Sequence, residues 1–265
     1  MESYTLPNGL SIKHHSATET LQLYRDIFAD GIYLRHGISL PDQALVLDAG
    51  ANIGMFTLFV MSVCPTACIH AFEPAPRSFQ LLKENASAYP ERVKTYHCGL
   101  GAEEKQAMFT FLPKVTCGSG FYDGEGIEQR KQMIQAVIMS IPEKRKRFEG
   151  ELGDELLQYY VDELFKGESV EIAIVPVSKI IDELQLDHVD LFKIDVEGSE
   201  RDVLKGLNEK DWPKIRQMVL EVHDSPKTLP EIVEQLERHG FRVTAVPEEK
   251  TGEISGTTMA YATRT

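Results

Sequence analysis

No stretch of this sequence approaches the ~20 consecutive apolar residues that a helix needs to cross a bilayer. The first residues, Met1-Glu-Ser-Tyr-Thr-Leu-Pro-Asn-Gly9, also lack the basic-then-apolar order of a signal peptide. A cytoplasmic protein that does not engage membranes is therefore expected. Cysteine is scarce too. Cys64, Cys68, Cys98 and Cys117 form no C-x-x-C pair, which argues against a zinc site, and Cys68 and Cys98 fall in expected strands where they serve as small apolar residues. Positive charge is the third shortage: 28 Lys and Arg stand against 41 Asp and Glu, a net charge of −13. Broad neutralisation of phosphates is not open to such a surface, so no nucleic-acid partner is expected. There is no internal repeat and no low-complexity tract.

What is present is a chain of 265 residues, enough to bury one large core. Strand and helix signals alternate: Ala44 to Asp48, then a helix to Val63; Cys68 to Glu73, then a helix from Pro76 to Ala88; then Val93 to Cys98. Such alternation predicts an α/β fold with a mostly parallel sheet, whose ligands sit at the carboxyl ends of the strands. Residues 1–40 read as an N-terminal cap, with a hairpin turned at Pro7-Asn8-Gly9 and a helix over Ala17 to Phe28 that turns Leu21, Tyr24 and Phe28 to one side. Residues 41–265 form the main domain. Its alternation breaks after a strand at Gln106 to Leu112, and residues 113–168 read as an insertion: a glycine-rich entry, then helical spacing over Glu128 to Met139 and Asp154 to Phe165. An insertion of this length is usually functional or disordered, and the helical periodicity favours an ordered lid. On it Lys144-Arg-Lys-Arg147, with Arg130 and Lys131, gathers positive charge that would suit an acidic partner. The sheet resumes at Val189 to Asp195, a helix opens at Ser199 and Glu200, and a strand follows at Met218 to His223. Thr228 is placed to cap the next helix, and Phe241 to Val246 with Thr258 to Ala262 make a closing antiparallel hairpin joined by a Pro- and Gly-containing turn.

The richest segment is Val46-Leu-Asp-Ala-Gly-Ala-Asn-Ile-Gly54, a buried strand running directly into a glycine turn and a helix. Dinucleotide folds use G-x-G-x-x-G to seat a pyrophosphate; here the pattern is D-x-G-x-x-x-G, which spells out no phosphate cradle. Asp48 would offer a carboxylate to an ammonium, and Gly50 and Gly54 would let the backbone approach a ligand. Glu73 follows Gly54 by 19 residues, about where an acid at the second strand tip accepts hydrogen bonds from two ribose hydroxyls. An ammonium, a ribose and no phosphate describe S-adenosylmethionine.

Methyl transfer to a hydroxyl requires removal of a proton. Two consecutive strands end in Asp195-Val-Glu197 and Glu221-Val-His223, so acids and an imidazole converge near the reactive end of such a cofactor. Residues two apart on a strand share a face, which makes Glu221 and His223 the firmer pair, since Gly198 warns that strand geometry stops before Glu197. His223 is the expected general base, oriented by Glu221 or Glu197. Asp195, Glu197, Glu221, His223 and Asp224 would also suit a hard cation, but an available imidazole makes a metal unnecessary, and none is expected.

Asp48-Ala-Gly-Ala-Asn-Ile-Gly54, Phe72-Glu-Pro74, Lys193-Ile-Asp-Val-Glu-Gly-Ser-Glu200 and Glu221-Val-His223 together resemble the FkbM-type methyltransferases, from about Pro41 to the C-terminus. The DVEGSE phrase is the specific part; D-x-G-x-x-x-G is common to most adenosylmethionine-dependent methyltransferases. The resemblance implies the class I methyltransferase fold of seven strands and O-methylation of a small molecule or a carrier-tethered polyketide or nonribosomal peptide intermediate. It makes Asp48, Gly50, Asn52 and Gly54 the methionine-end loop, Glu73 beside Pro74 the ribose ligand, and Gly99 part of an adenine-edge segment; Asp195 would reach both cofactor and acceptor. N- or carboxyl-methylation, a Rossmann oxidoreductase and a non-catalytic scaffold are the competing readings.

Overall fold

The computed structural model describes residues 3–121, 124–223, 225–247 and 257–264. A short antiparallel hairpin, β1 (Ser3–Thr5) and β2 (Ser11–Lys13), leads into α1 (Ala17–Tyr24), which continues as π-helical residues Arg25–Ala29. Then come β3 (Leu45–Ala49), α2 (Met55–Val63), β4 (Cys68–Phe72), α3 (Pro76–Asn85), β5 (Val93–Tyr96), β6 (Gly99–Gly101) and β7 (Lys105–Phe111). The insertion contributes α4 (Gly124–Ser140), α5 (Pro142–Arg145) and α6 (Gly153–Leu164). The chain closes with β8 (Glu168–Pro176), α7 (Val177–Glu183), β9 (Leu191–Ile194), α8 (Glu200–Lys205), β10 (Gln217–Val222), α9 (Ser225–Arg238), β11 (Arg242–Pro247) and β12 (Thr258–Thr263).

Seven strands form the main sheet in the order β11-β12-β10-β9-β3-β4-β5, parallel except for β12, which runs against both β10 and β11. This is the class I methyltransferase arrangement. The order reverses between β3 and β9, and a ligand site opens at the carboxyl ends of strands where an α/β sheet reverses in this way. Strand alternation feeds two cores. Val46, Leu191 and Val219 point to the face covered by α2, α3 and the N-terminal cap, whereas Leu47, Phe192 and Leu220 point to the face covered by α7, α8 and α9. The cap is part of the first core through Leu6, Ile12, Ile27, Tyr33 and Ile38. No helix of the described residues is long and apolar enough to cross a membrane.

Three expectations need correction. The buried row of α1 and its continuation is Thr20, Leu23 and Ile27, with Tyr24 and Phe28 stacked beside it, and Leu21 is 43 % exposed. Residues 168–176 are a strand, β8, paired antiparallel to β7 and parallel to β6 in a separate three-stranded sheet, so the insertion spans 112–167. Its helices are ordered on a small core of their own, Leu112, Ile138, Leu157, Val161 and Phe165. Finally, α9 starts at Ser225, before Thr228, whose hydroxyl donates to the His223 carbonyl at 2.7 Å as the chain leaves β10. The turn between β11 and β12 lies outside the described residues.

Candidate active site

The glycine turn after β3 wraps over the end of β4: Gly50 and Ala51 both donate backbone N–H to the Phe72 carbonyl, at 3.0 and 2.9 Å. Gly50 has φ +73°, and a Cβ there would lie 1.8 Å from the Asp195 carbonyl oxygen; at Gly54, φ +91°, it would press on Leu82 at 2.9 Å. The protein's own packing against β9 and α3 thus demands glycine at both positions.

Asp48 stands at the end of β3, as the sequence suggested, with its side chain turned inward. Its side chain is 0 % exposed, accepts from the Thr57 hydroxyl at 2.8 Å and lies 3.2 Å from the Lys193 ammonium. Lys193, buried in β9, also donates to the Gly50 carbonyl at 2.7 Å and approaches Asp195 at 3.5 Å. Burial works against its charge, but Asp48 and Asp195 outweigh burial and hold its pKa above 10.5. A protein ammonium therefore occupies the place proposed for a ligand's.

Glu73 stands at the tip of β4 as expected. Its Oε2 accepts from Asn52 N–H and its Oε1 from Ala75 N–H, both at 2.8 Å, so each oxygen keeps acceptor capacity. Burial lifts its pKa to about 7, against the pull of those two N–H donors and Lys193. Asn52, at φ 49°, extends Nδ2 to the Thr116 hydroxyl at 3.3 Å, and its buried Oδ1 has no hydrogen-bond partner among the described residues.

The acids of β9 and β10 meet as the sequence suggested, by a different geometry. The strand ends at Ile194, and Glu197 and Gly198 both have positive φ, 52° and 100°, so Glu197 arrives on a tight turn and not on a strand face. Its Oε2 lies 3.1 Å from His223 Nε2 and accepts from Arg130 of α4 at 2.9 Å. His223 Nδ1 lies 2.9 Å from Glu200, whereas Glu221 is 3.9 Å from Nε2. Glu200, read from sequence only as a helix start, is thus the closer orienting acid. Burial disfavours the imidazolium, but Glu197 and Glu200 outweigh it and raise the pKa well above 6.5. Tyr33 of the cap completes the group: its hydroxyl lies 2.9 Å from Asp195 Oδ2 and 3.3 Å from Glu221 Oε2.

A cavity of about 1040 Å³ opens over these strand tips. That is at the top of the roughly 300–1,000 Å³ range of single-ligand pockets. Gly50, Asn52, Glu73, Pro74 and Gly99 line one side, and Tyr33, Asp195, Glu197 and Glu221 another. The insertion adds Phe121, Val137, Ile141 and Tyr160. Asp48, Gly54 and His223 do not reach the lining; they shape it from behind. Asp195, Glu197 and His223 each offer one ligand atom within 4.8 Å of the others, a spacing a cation can bridge. Donors from Lys193, Tyr33 and Arg130 already serve two of those carboxylates, and Asp224 lies outside the described residues. The expected basic patch is smaller than its sequence: Arg130 turns inward to Glu197, and Lys131 is bound by Glu128 and Asp162.

The family profile described as Methyltransferase FkbM domain matches residues 48–243. The chain is 40 % identical over 245 residues to the 31-O-demethyl-FK506 methyltransferase FkbM of Streptomyces tacrolimicus, covering 92 % of this chain and 90 % of that protein. It is 34 % identical over 248 residues to the AMB antimetabolite synthetase AmbE of Pseudomonas aeruginosa, covering 90 % of this chain but 11 % of the synthetase. Methyltransferase 1 of Beauveria bassiana is 31 % identical over 247 residues, covering 92 % of this chain and 90 % of that protein.

Proposed function

The chain belongs to the FkbM family of S-adenosylmethionine-dependent methyltransferases, and we propose that it methylates a hydroxyl on a small molecule or a carrier-tethered natural-product intermediate. The observation that carries this reading is the relay Glu197–His223–Glu200, which opens on the cavity through Glu197.

The residues present fit the cofactor. Glu73 would accept from the ribose hydroxyls with its two remaining lone pairs, Asn52 Oδ1 would find the donor it lacks, and Gly50, Pro74, Gly99 and Asp195 would form the walls around them. Bound there, S-adenosylmethionine supplies an electrophilic methyl whose sulfur is already a good leaving group. Asp48 and Gly54 contribute by fixing the loop.

The protein's task is then the acceptor's proton. His223 alone does not suit it: the ring is off the cavity wall, both nitrogens are engaged by carboxylates, and Glu197 and Glu200 raise its pKa well above the ordinary value, which favours the imidazolium. In our reading Glu197 takes the proton as the hydroxyl oxygen gains the methyl, while His223, fixed by Glu200, keeps Glu197 in place. Glu221 flanks the same position. We read residues 1–40 as a cap and the insertion as a lid over the acceptor, because both contribute side chains to the cavity. The name of the Streptomyces relative, an O-demethyl compound's methyltransferase, supports oxygen over nitrogen as the acceptor atom.

The test is an adenosylhomocysteine-release assay against hydroxyl, amine and carboxyl acceptors, with mass spectrometry locating the methyl. Glu197→Gln should abolish hydroxyl methylation and leave adenosylhomocysteine binding intact. A methyl found on nitrogen or carboxylate, or undiminished turnover by the variant, overturns the assignment.

A further inference from the structure

The charges around the strand tips are segregated. Asp195, Glu197 and Glu221 reach the cavity lining, whereas Lys193 and His223 lie behind it, 2 % and 6 % exposed, and Arg130 of α4 pairs with Glu197 alone among the three acids. Tyr33 holds this arrangement together. It arrives from the cap, outside the region matched by the family profile, with its ring edge-on to Phe56 at 5.1 Å and its hydroxyl between Asp195 and Glu221. A phenol has one proton to donate, and both neighbours are carboxylates. Sharing that proton, with the Lys193 ammonium 3.5 Å from Asp195, lets two carboxylates at adjacent strand tips face the same space where they would otherwise repel.

We propose that Tyr33 is a positioning residue that sets Asp195 and Glu221 as an anionic pair on the cavity wall, and that this pair makes the site prefer a cofactor bearing a positive sulfonium over its neutral thioether product. The inference rests on the cofactor placement proposed above. Its consequence is directional: the charged donor is retained, and the product, having lost its charge with the methyl, is released. The effect is electrostatic at short range in a site partly screened from water, so a factor of at least ten in affinity is expected of it.

Two probes read this without any acceptor. Sinefungin carries an ammonium where adenosylmethionine carries its methylsulfonium, and adenosylhomocysteine carries an uncharged sulfur. Calorimetry on the full chain should give sinefungin an advantage of ten-fold or more. Tyr33→Phe should cut that advantage at least five-fold, leaving the adenosylhomocysteine Kd within about three-fold. Glu221→Gln, which keeps the Tyr33 ring, should also cut it and serves if the first variant does not fold. Equal affinities for the two ligands in the wild type overturn the proposal, and so does a Tyr33→Phe variant that weakens both equally, which is what a merely structural tyrosine would do. If neither ligand binds the wild type, the cofactor placement has failed instead.

Discussion

Replacing Glu73 by glutamine should erase a particular slope in the dependence of stability on pH. In the folded protein burial lifts the Glu73 pKa from 4.5 to about 7. Between those values the folded state holds a proton that the unfolded chain releases, so stability falls as pH rises across the window. At about 1.4 kcal/mol for each tenfold change in proton affinity, the decline amounts to about 3 kcal/mol. Glutamine does not titrate. Its amide leaves one of the two backbone N–H donors, Asn52 or Ala75, without an acceptor, a cost of about 1–3 kcal/mol. That cost displaces the whole curve and leaves its slope alone, so the comparison of slopes is clean. Urea denaturation of both proteins from pH 4.5 to 8 should show their difference changing by about 3 kcal/mol in favour of the variant. Parallel curves would refute the reasoning. The same group links binding to protons: ribose hydroxyls prefer the ionised carboxylate, so adenosylhomocysteine should bind near pH 6.5 with release of a proton, measured by calorimetry in buffers of different ionisation enthalpy. Glu73→Gln should release none and bind about 10- to 100-fold more weakly.

Three further outcomes follow from the buried charges and the lid. Lys193→Met should cost about 3–5 kcal/mol in urea denaturation because Asp48 is left as a buried anion without its cation, and Asp48→Asn in the same chain should restore most of it; equal losses would break the assigned pairing. His223 has a raised pKa in the folded state, so its contribution is complete below about pH 6.5 and is lost as pH climbs through the higher folded value; His223→Gln should lack that alkaline decline in melting temperature, and its turnover should fall about 10²-fold with cofactor affinity kept. Limited proteolysis should cut within 112–167 in the free enzyme and spare it when adenosylhomocysteine and acceptor are both bound, whereas identical cleavage in both states would make the insertion a fixed wall.

The sheet was legible because its signals are local: continuous apolar runs at β3 and β9, glycine turns, and strand-helix alternation. What escaped the sequence depends on distant partners. β8 did leave a local sign, the alternation Val170, Ile172 and Ile174, but its place beside β7, across the whole insertion, is a fact of pairing. Glu73 stands at the tip of β4, where its spacing from Gly54 put it, whereas the pairing of Asp48 with Lys193 was not legible at Asp48, because a carboxylate at a strand tip looks the same whether a ligand or a lysine neutralises it. Lys193 did leave a sign, a lone charge inside the apolar run Leu191-Phe-Lys-Ile194. Tyr33 left none, since its 162-residue separation from Asp195 is a fact of tertiary structure alone. The orienting role of Glu200 was hidden by its other reading, as an acid in the first turn of α8.

The insertion leaves and re-enters the fold at a single ladder rung, for Phe111 at the end of β7 is the register partner of Glu168 at the start of β8. Its two ends are therefore held at strand-pair distance by backbone hydrogen bonds that do not depend on what lies between them. Its own core makes the segment a cassette: helices of other lengths, or a tight turn, can close the same rung without disturbing the main sheet. The segment between Phe111 and Glu168 can accordingly be exchanged as a block, its ties to the strand tips being Arg130 on Glu197 and Thr116 on Asn52, while the turn stapled by Gly50, Lys193 and Asp195 stays as it is.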